Sequence, residues 1–294
     1  TFQTLGYTID VYRREIEHCR DFFDFALYVS YFPQLVAGPI ERASNLLPQI
    51  TQPRTVGSDR VVDGAHLIAL GLFKKVVIAD NLAQVVNTIY GSPEATGIEI
   101  VIATWCFAFQ IYCDFSGYSL IARGVSKWFG IELMKNFWLP YASSSPQEFW
   151  TRWHISLSSW LRDYLYIPLG GNRGTSAMVY RNLLLTMILG GLWHGAAWNF
   201  VLWGLFQGLI LVVHRLVTNG RKKDDSLASW WSIILMFQVT CYGWLLFRAE
   251  SLEHVIDLTT AIFSVPELTG RATGALGLLC FLAGPLLVLE WWQY

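Results

Sequence analysis

The chain has 294 residues and a formal net charge of −1, with 53% hydrophobic and 15% charged side chains. Soluble domains carry roughly 25% charged residues. The low charge, a mean hydropathy of +0.38 and fourteen tryptophans exclude an ordinary soluble domain and indicate an integral membrane protein with aromatic rings at its interfaces. The balanced charge leaves no basic footprint for nucleic acid. Five cysteines without C-x-x-C spacing or histidine neighbours read as buried small hydrophobes, neither a disulfide framework nor a zinc site. The chain opens TFQTLGYTIDVYR and closes on EWWQY, so residues 1–294 are expected to be one membrane domain cut at both ends from a longer protein.

In chain order, residues 22–37 and 61–79 are apolar but interrupted by Asp24 and by Lys74-Lys75. They read equally as spans, interfacial helices or buried bundle helices. Residues 100–113 are uncharged, and a helix there can continue past Asp114 into IYCDFSGYSLIARG (111–124). Asp114 with Ser116 and Tyr118 reads either as a capped helix end or as a functional polar cluster near a membrane boundary.

In SPQEFWTRWHISLSSWLRDYLYIPLGGNRG (145–174), Ser145 and Glu148 make a capping box with Pro146 at the first helical position. The spacing predicts an amphipathic helix from 146 toward Tyr166 at the cytoplasmic interface, with Phe149, Trp153, Leu157, Trp160 and Tyr164 facing lipid or core. Glu148 and Arg152 have the favourable i, i+4 order. His154 is not explained by that pattern, because it shares a stripe with Trp150, Ser158 and Leu161. LGGNRG (169–174) reads as a simple turn or as a phosphate cradle with Arg173 as anion partner.

Residues 182–213 contain no Asp, Glu, Lys or Arg, and His194 lies near their middle. Further on, 226–247 and 272–289 are uncharged and suited to span a core of ~30 Å. The segments 143–181 and 214–225 are rich in basic residues, whereas 248–271 sets two arginines against Glu250, Glu253, Asp257 and Glu267. The positive-inside rule puts the first two in the cytoplasm and the third outside. Residues 182–213 must then enter the membrane and return, in two arms of about 15 residues that fall short of ~30 Å. The turn is expected within the membrane, with Gly190, Gly191, Gly195 and Asn199 around it supplying conformational freedom.

A histidine at that depth has two readings. It packs between helices and bonds a neighbour, or it acts: a neutral imidazole in a lined cavity suits general base catalysis on a hydroxyl. His18, His214 and His254 lie in charged, solvated segments, and His66 reads as structural.

RWHISLSSWLRDYLYIPLGGNRG followed by RNLLLTMILGGLWHGAAWNFVLWG resembles the membrane-bound O-acyltransferase family, most closely its alginate O-acetyltransferase type. YVSYFPQLVAGPIERASNLLPQI and FQIYCDFSGYSLIARG are similar to that type too, so the resemblance covers nearly the whole chain. It implies an all-α polytopic bundle around a transmembrane tunnel, with re-entrant or short helices and amphipathic interfacial helices. It also implies His194 of GLWHG as catalytic base, with His154 of WHISLS as its polar partner, orienting a reacting group or stabilising the developing oxyanion. Leu120 stands where the SGYS-x-IA pattern leads one to expect a polar or acidic residue, so that position is given no catalytic role.

The expected activity is transfer of an acetyl group from a cytoplasmic thioester, acetyl-CoA or a similar donor, to a hydroxyl acceptor for exopolysaccharide O-acetylation. No cofactor or metal beyond that co-substrate is expected. Substrate-binding candidates are Asp114, Arg152, Ser158, Arg162, Asp163, Arg173 and Asn199, with the arginines attracting the donor's phosphates. Expected partners are extracytoplasmic polysaccharide-modifying proteins and the lipid bilayer of a bacterial inner membrane. Three other readings are weighed: D-alanyl transfer to teichoic acid from a carrier-protein thioester, separable by swapping the donor; a transporter, which would favour related halves; and a non-catalytic scaffold, which an active-site-dead variant would still serve.

Overall fold

A computed structural model describes residues 2–218, 230–263 and 267–292, and among them every regular element is helical. The spine is α6, Gly97–Trp128, opened by a capping box in which Thr96 and Glu99 satisfy each other's backbone N–H groups. Its 32 residues run ~48 Å at 1.5 Å per residue, well beyond a ~30 Å core. Asp114 and Ser116 therefore sit inside a helix, and their reading as a capped helix end is overturned.

Against α6 lies one long rod: α4 (Ser58–Leu72), a π-helical stretch (Phe73–Ala79) and α5 (Asp80–Tyr90). Residues 61–79 thus pack within one continuous helical rod along α6. Glycines face each other across the pair, Gly64 against Gly124 and Gly71 against Gly117. A Cβ added at Gly71 would stand 2.6 Å from the Gly117 carbonyl oxygen, and one at Gly117 2.8 Å from that of Gly71. Without side chains at the crossing, two backbones approach closely enough for dense packing in an apolar solvent. The π stretch turns its two lysines apart. Lys74, almost wholly buried, reaches Glu290 at 2.6 Å, and Tyr112 donates to the same carboxylate oxygen at 2.6 Å. Lys75 instead pairs with Asp114 at 2.7 Å and Asp80 at 2.8 Å.

Residues 22–37 form α2 (Phe22–Ser30) and a short 3₁₀ turn (Phe32–Gln34), too short to span. They pack with α1 (Phe2–Tyr12) and α3 (Ala43–Thr51) around Tyr28 and Leu46.

The helix expected from 146 to 166 is broken. α7 (Pro146–Arg152) ends, His154 takes φ +43°, and α8 (Ile155–Leu161) continues into a π turn (Arg162–Tyr166). Ser145 caps α7 as expected, but the reciprocal bond shifts by one residue: Glu148 accepts from the Ser144 N–H and hydroxyl. The apolar stripe does not face lipid at an interface. Phe149, Trp153, Leu157 and Trp160 are buried, with Trp153 stacked on Phe149 and 4.7 Å from the Trp244 ring centroid.

The uncharged run folds as the expected hairpin, α9 (Ser176–His194) and α10 (Trp198–Val217). Both helices extend past the flanking arginines, giving arms of 19 and 20 residues, or ~28–30 Å, of which α10 is long and apolar enough to cross a membrane. Gly190 and Gly191 are helical, and Gly195 is extended at φ 172°. The turn's glycines serve close packing, since a Cβ at Gly195 would stand 2.6 Å from the Phe200 ring.

The later elements are α11 (Trp230–Arg248), α12 (Leu252–Ile262) and α13 (Gly270–Trp292). The first residues of the expected 226–247 span and most of the basic 214–225 loop lie outside the described residues. α6, α10, α11 and residues 270–290 are long and apolar enough to cross a membrane. One end of the bundle is tied by polar contacts: Arg271 grips Glu99 through two nitrogens at 2.8 and 2.6 Å, and Arg248 donates to Asn87 at 2.8 Å.

Gly117→Val should destabilise the fold by about 1–3 kcal/mol through overpacking against α4, read as a lowered Tm in detergent. Glu290→Leu strands the buried Lys74 ammonium and should cost about 3–5 kcal/mol, whereas the double variant Lys74→Met/Glu290→Leu should recover most of it.

Candidate active site

Two histidines 40 positions apart in the chain meet at one hollow. His154, His194 and Asp114 line a single cavity of about 750 Å³, together with Trp150, Trp153, Trp203 and Phe247. His194 closes the C-terminal end of α9 and is half-buried in a ring of aromatics, 5.3 Å from Trp203, 5.1 Å from Phe247 and 4.8 Å from Trp193 by ring centroid. These rings give the imidazole largely apolar neighbours.

His154 is held by a different device. Segment 136–138 runs alongside the α7–α8 break, where Trp138 donates to the Arg152 carbonyl and the Ile155 N–H donates to the Asn136 carbonyl, each at 2.9 Å. The Asn136 side-chain oxygen accepts from the Ser156 N–H at 3.1 Å and the Ser156 hydroxyl at 2.8 Å, and lies 3.3 Å from His154 Nδ1. The Phe115 ring stands edge-on to the imidazole at 4.6 Å. Burial first, and the proximity of His194 second, push the His154 imidazole below its ordinary value, so the ring is neutral. A left-handed backbone at a non-glycine residue is a local strain of the kind that gathers at functional sites.

The remaining candidates scatter. Asp114 lines the cavity but is half-exposed and paired with Lys75. Arg152 is bound to Glu148 at 2.6 Å and to the Leu139 carbonyl, Ser158 donates to the Trp153 carbonyl, and Arg162 pairs with Asp163, which also takes Arg42 at 3.0 Å. None of these four lines the cavity. Arg173 sits on the surface in the 169–174 turn, whose glycines Gly170, Gly171 and Gly174 all have positive φ. Asn199 is buried and donates to the Ala249 carbonyl at 2.8 Å, tying α10 to the end of α11. Its assignment to substrate binding gives way to this structural bond.

Asn136, Ser156 and Trp203 carry no signal in the sequence, and Trp150 is marked there only as sharing a stripe with His154. The indole N–H groups of Trp150 and Trp203 are buried without a hydrogen-bond partner. Asn136 also lines a second cavity, of about 550 Å³, where Arg123, Lys127 and Lys135 gather. No group of three or more His, Cys, Asp or Glu suited to a metal occurs among the described residues.

Comparison with known proteins fits this geometry. The chain is 43% identical over 91% of its length to a probable alginate O-acetylase AlgI of Azotobacter vinelandii, covering 53% of that protein. It is 42% identical over 81% of its length to a peptidoglycan O-acetyltransferase of Helicobacter pylori, covering 46% of it. A teichoic acid D-alanyltransferase of Bacillus subtilis matches at 27% identity over 77% of the chain and 61% of that protein. The chain thus spans about half the length of the O-acetylating relatives it matches. The model of the membrane-bound O-acyltransferase family, MBOAT, matches residues 12–249, both histidines included, and the chain belongs to that family.

Proposed function

We propose that this chain carries the catalytic core of an O-acetyltransferase that passes an acetyl group from a thioester donor, acetyl-CoA, toward a hydroxyl of an exopolysaccharide. The observation that carries this reading is the meeting of His154 and His194 at one aromatic-walled cavity. In the proposed step, neutral His194 takes the proton of the acceptor hydroxyl as its oxygen attacks the thioester carbonyl. The C–O bond forms, the C–S bond breaks, and the imidazolium returns its proton to the leaving thiolate. His154 orients a reacting group across the cavity. The unpartnered indole N–H groups of Trp150 and Trp203 are available to the oxygen on which charge develops.

Arg152 and Arg162 are paired with Glu148 and Asp163 and Arg173 stands apart on the surface, so the proposed phosphate-attracting role passes to the basic cluster Arg123, Lys127 and Lys135, which lines the second cavity even though Arg123 and Lys127 also pair with Glu132. Asn136 lines the second cavity and touches His154 of the first, which supports a donor that approaches from the basic side. With basic loops in the cytoplasm, the donor is cytoplasmic and the protein a multi-pass component of a bacterial inner membrane. Extracytoplasmic polysaccharide-modifying proteins would receive the acetyl group. The lower identity to the D-alanyltransferase than to the O-acetylating relatives favours acetyl over D-alanyl transfer.

The test uses full-length protein in membrane vesicles supplied with acetyl-labelled acetyl-CoA. His194→Ala should lower CoA release by about 10²–10⁴-fold, the usual contribution of a general base. Equal release from a well-folded variant would return His194 to a packing role. Release only from a carrier-bound thioester would move the reading to the D-alanyl class of donor.

A further inference from the structure

Asn136 stands where its amide can dictate which nitrogen of His154 carries the proton. Three groups converge on its side-chain oxygen: the Ser156 backbone N–H at 3.1 Å, the Ser156 hydroxyl at 2.8 Å and His154 Nδ1 at 3.3 Å. A backbone N–H can only donate, so the amide must present its oxygen here; a flipped amide would set NH₂ against N–H. An amide oxygen can only accept, so the Ser156 hydroxyl and His154 Nδ1 both donate to it. Ser156 Oγ lies 3.5 Å from the same Nδ1, and its own hydrogen goes to the nearer oxygen, so it too faces Nδ1 as an acceptor. Both oxygens around Nδ1 therefore require a proton on that atom.

We propose that Asn136 is a positioning residue that fixes neutral His154 in the Nδ1–H tautomer, leaving Nε2 as an unprotonated acceptor for a substrate hydroxyl or thiol hydrogen. This rests on the acyl-transfer reading for its consequence but not for its chemistry. It also separates the two roles left open for His154. A neutral ring whose one proton is committed to Asn136 has none to offer a developing oxyanion; it receives a hydrogen bond or a proton at Nε2. The surrounding structure makes the arrangement hard to escape. The same asparagine uses its backbone carbonyl on the Ile155 N–H, at 2.9 Å, and its amide nitrogen on Ser119 Oγ, at 3.4 Å. Asn136 and Ser156 are both almost wholly buried, so no bulk water competes for Nδ1.

The test is the ¹⁵N spectrum of full-length protein carrying ring-labelled histidine, with the His154 signals assigned by their loss in His154→Gln. The expected result is a protonated-type Nδ1 and an unprotonated-type Nε2 at neutral pH. An Nε2–H tautomer in the wild type overturns the proposal without reference to any activity. Asn136→Leu should lose the fixed tautomer and lower kcat at least tenfold with little change in KM, whereas Asn136→Asp, which keeps an acceptor oxygen, should keep the proton on Nδ1. An unchanged tautomer in a folded Asn136→Leu variant removes Asn136 from the role. If the leucine variant does not fold, the wild-type and Asn136→Asp spectra still decide. Absence of CoA release from every form, the wild type included, counts against the acyl-transfer reading alone.

Discussion

A break in a helix within an apolar interior leaves backbone N–H groups that must find partners, and the structure around the two histidines follows from how this is done. Between α7 and α8 the chain turns through a left-handed His154, and the first N–H groups of α8 have no carbonyl of their own helix to meet. Asn136 supplies the acceptors from outside, its carbonyl to the Ile155 N–H and its side-chain oxygen to the Ser156 N–H, while the Trp138 N–H donates to the Arg152 carbonyl. An unpaired N–H there would cost about 1–3 kcal/mol, enough to make an uninterrupted helix the better fold. The segment that repairs the break is thus also the one that decides how His154 is presented.

The second frame is α6. Its length lets it form a wall of both cavities, with Asp114, Phe115 and Tyr118 on the side of the histidines and Tyr112, Ser116 and Arg123 on the other. Close contact with α4 depends on two glycine pairs, and close contact of α9 with α10 on Gly191 and Gly204. In a bilayer, where apolar side chains gain little by leaving lipid for protein, such tight backbone approach is a main source of helix association.

Much of this was legible in the sequence. Length and absence of charge marked the α9–α10 hairpin, α11 and α13; His194 stands out as the ionisable side chain deep in an uncharged run, and His154 because it does not share the charged stripe of its segment. What could not be read was tertiary in origin. The pattern 146–166 is a good amphipathic helix by local rules, and it breaks where the preceding segment, residues 136–138, folds back beside it and hydrogen-bonds Arg152 and Ile155. Uncharged runs underestimated α9 and α10 because Arg181 and Arg215 are accommodated within the helices. Arg152, Arg162 and Asn199 have the right chemistry for a ligand, but pairing partners distant from the cavity claim them. Asn136 carried no local signal, since its role arises only where it meets His154 and Ser156.

The π-helical stretch at 73–79 has a meaning for how this chain can vary. Buried positions 74, 78, 82 and 86 fall four apart, whereas each four-residue step in a regular α-helix overshoots a full turn by ~40°. The wider turn, closed by a bond from the Asp80 N–H to the Lys75 carbonyl, absorbs that drift and keeps both halves of the rod against α6. Losing one residue here would rotate everything beyond it by ~100°, swinging Leu82, Val86 and Ile89 out of the core and Asn87 away from Arg248. In this rod residue count is constrained along the whole stretch, whereas residue type is constrained only where the side chain is buried, so lineages sharing the fold should conserve the length of 73–79 and vary chiefly at its exposed positions Phe73, Val76 and Val77.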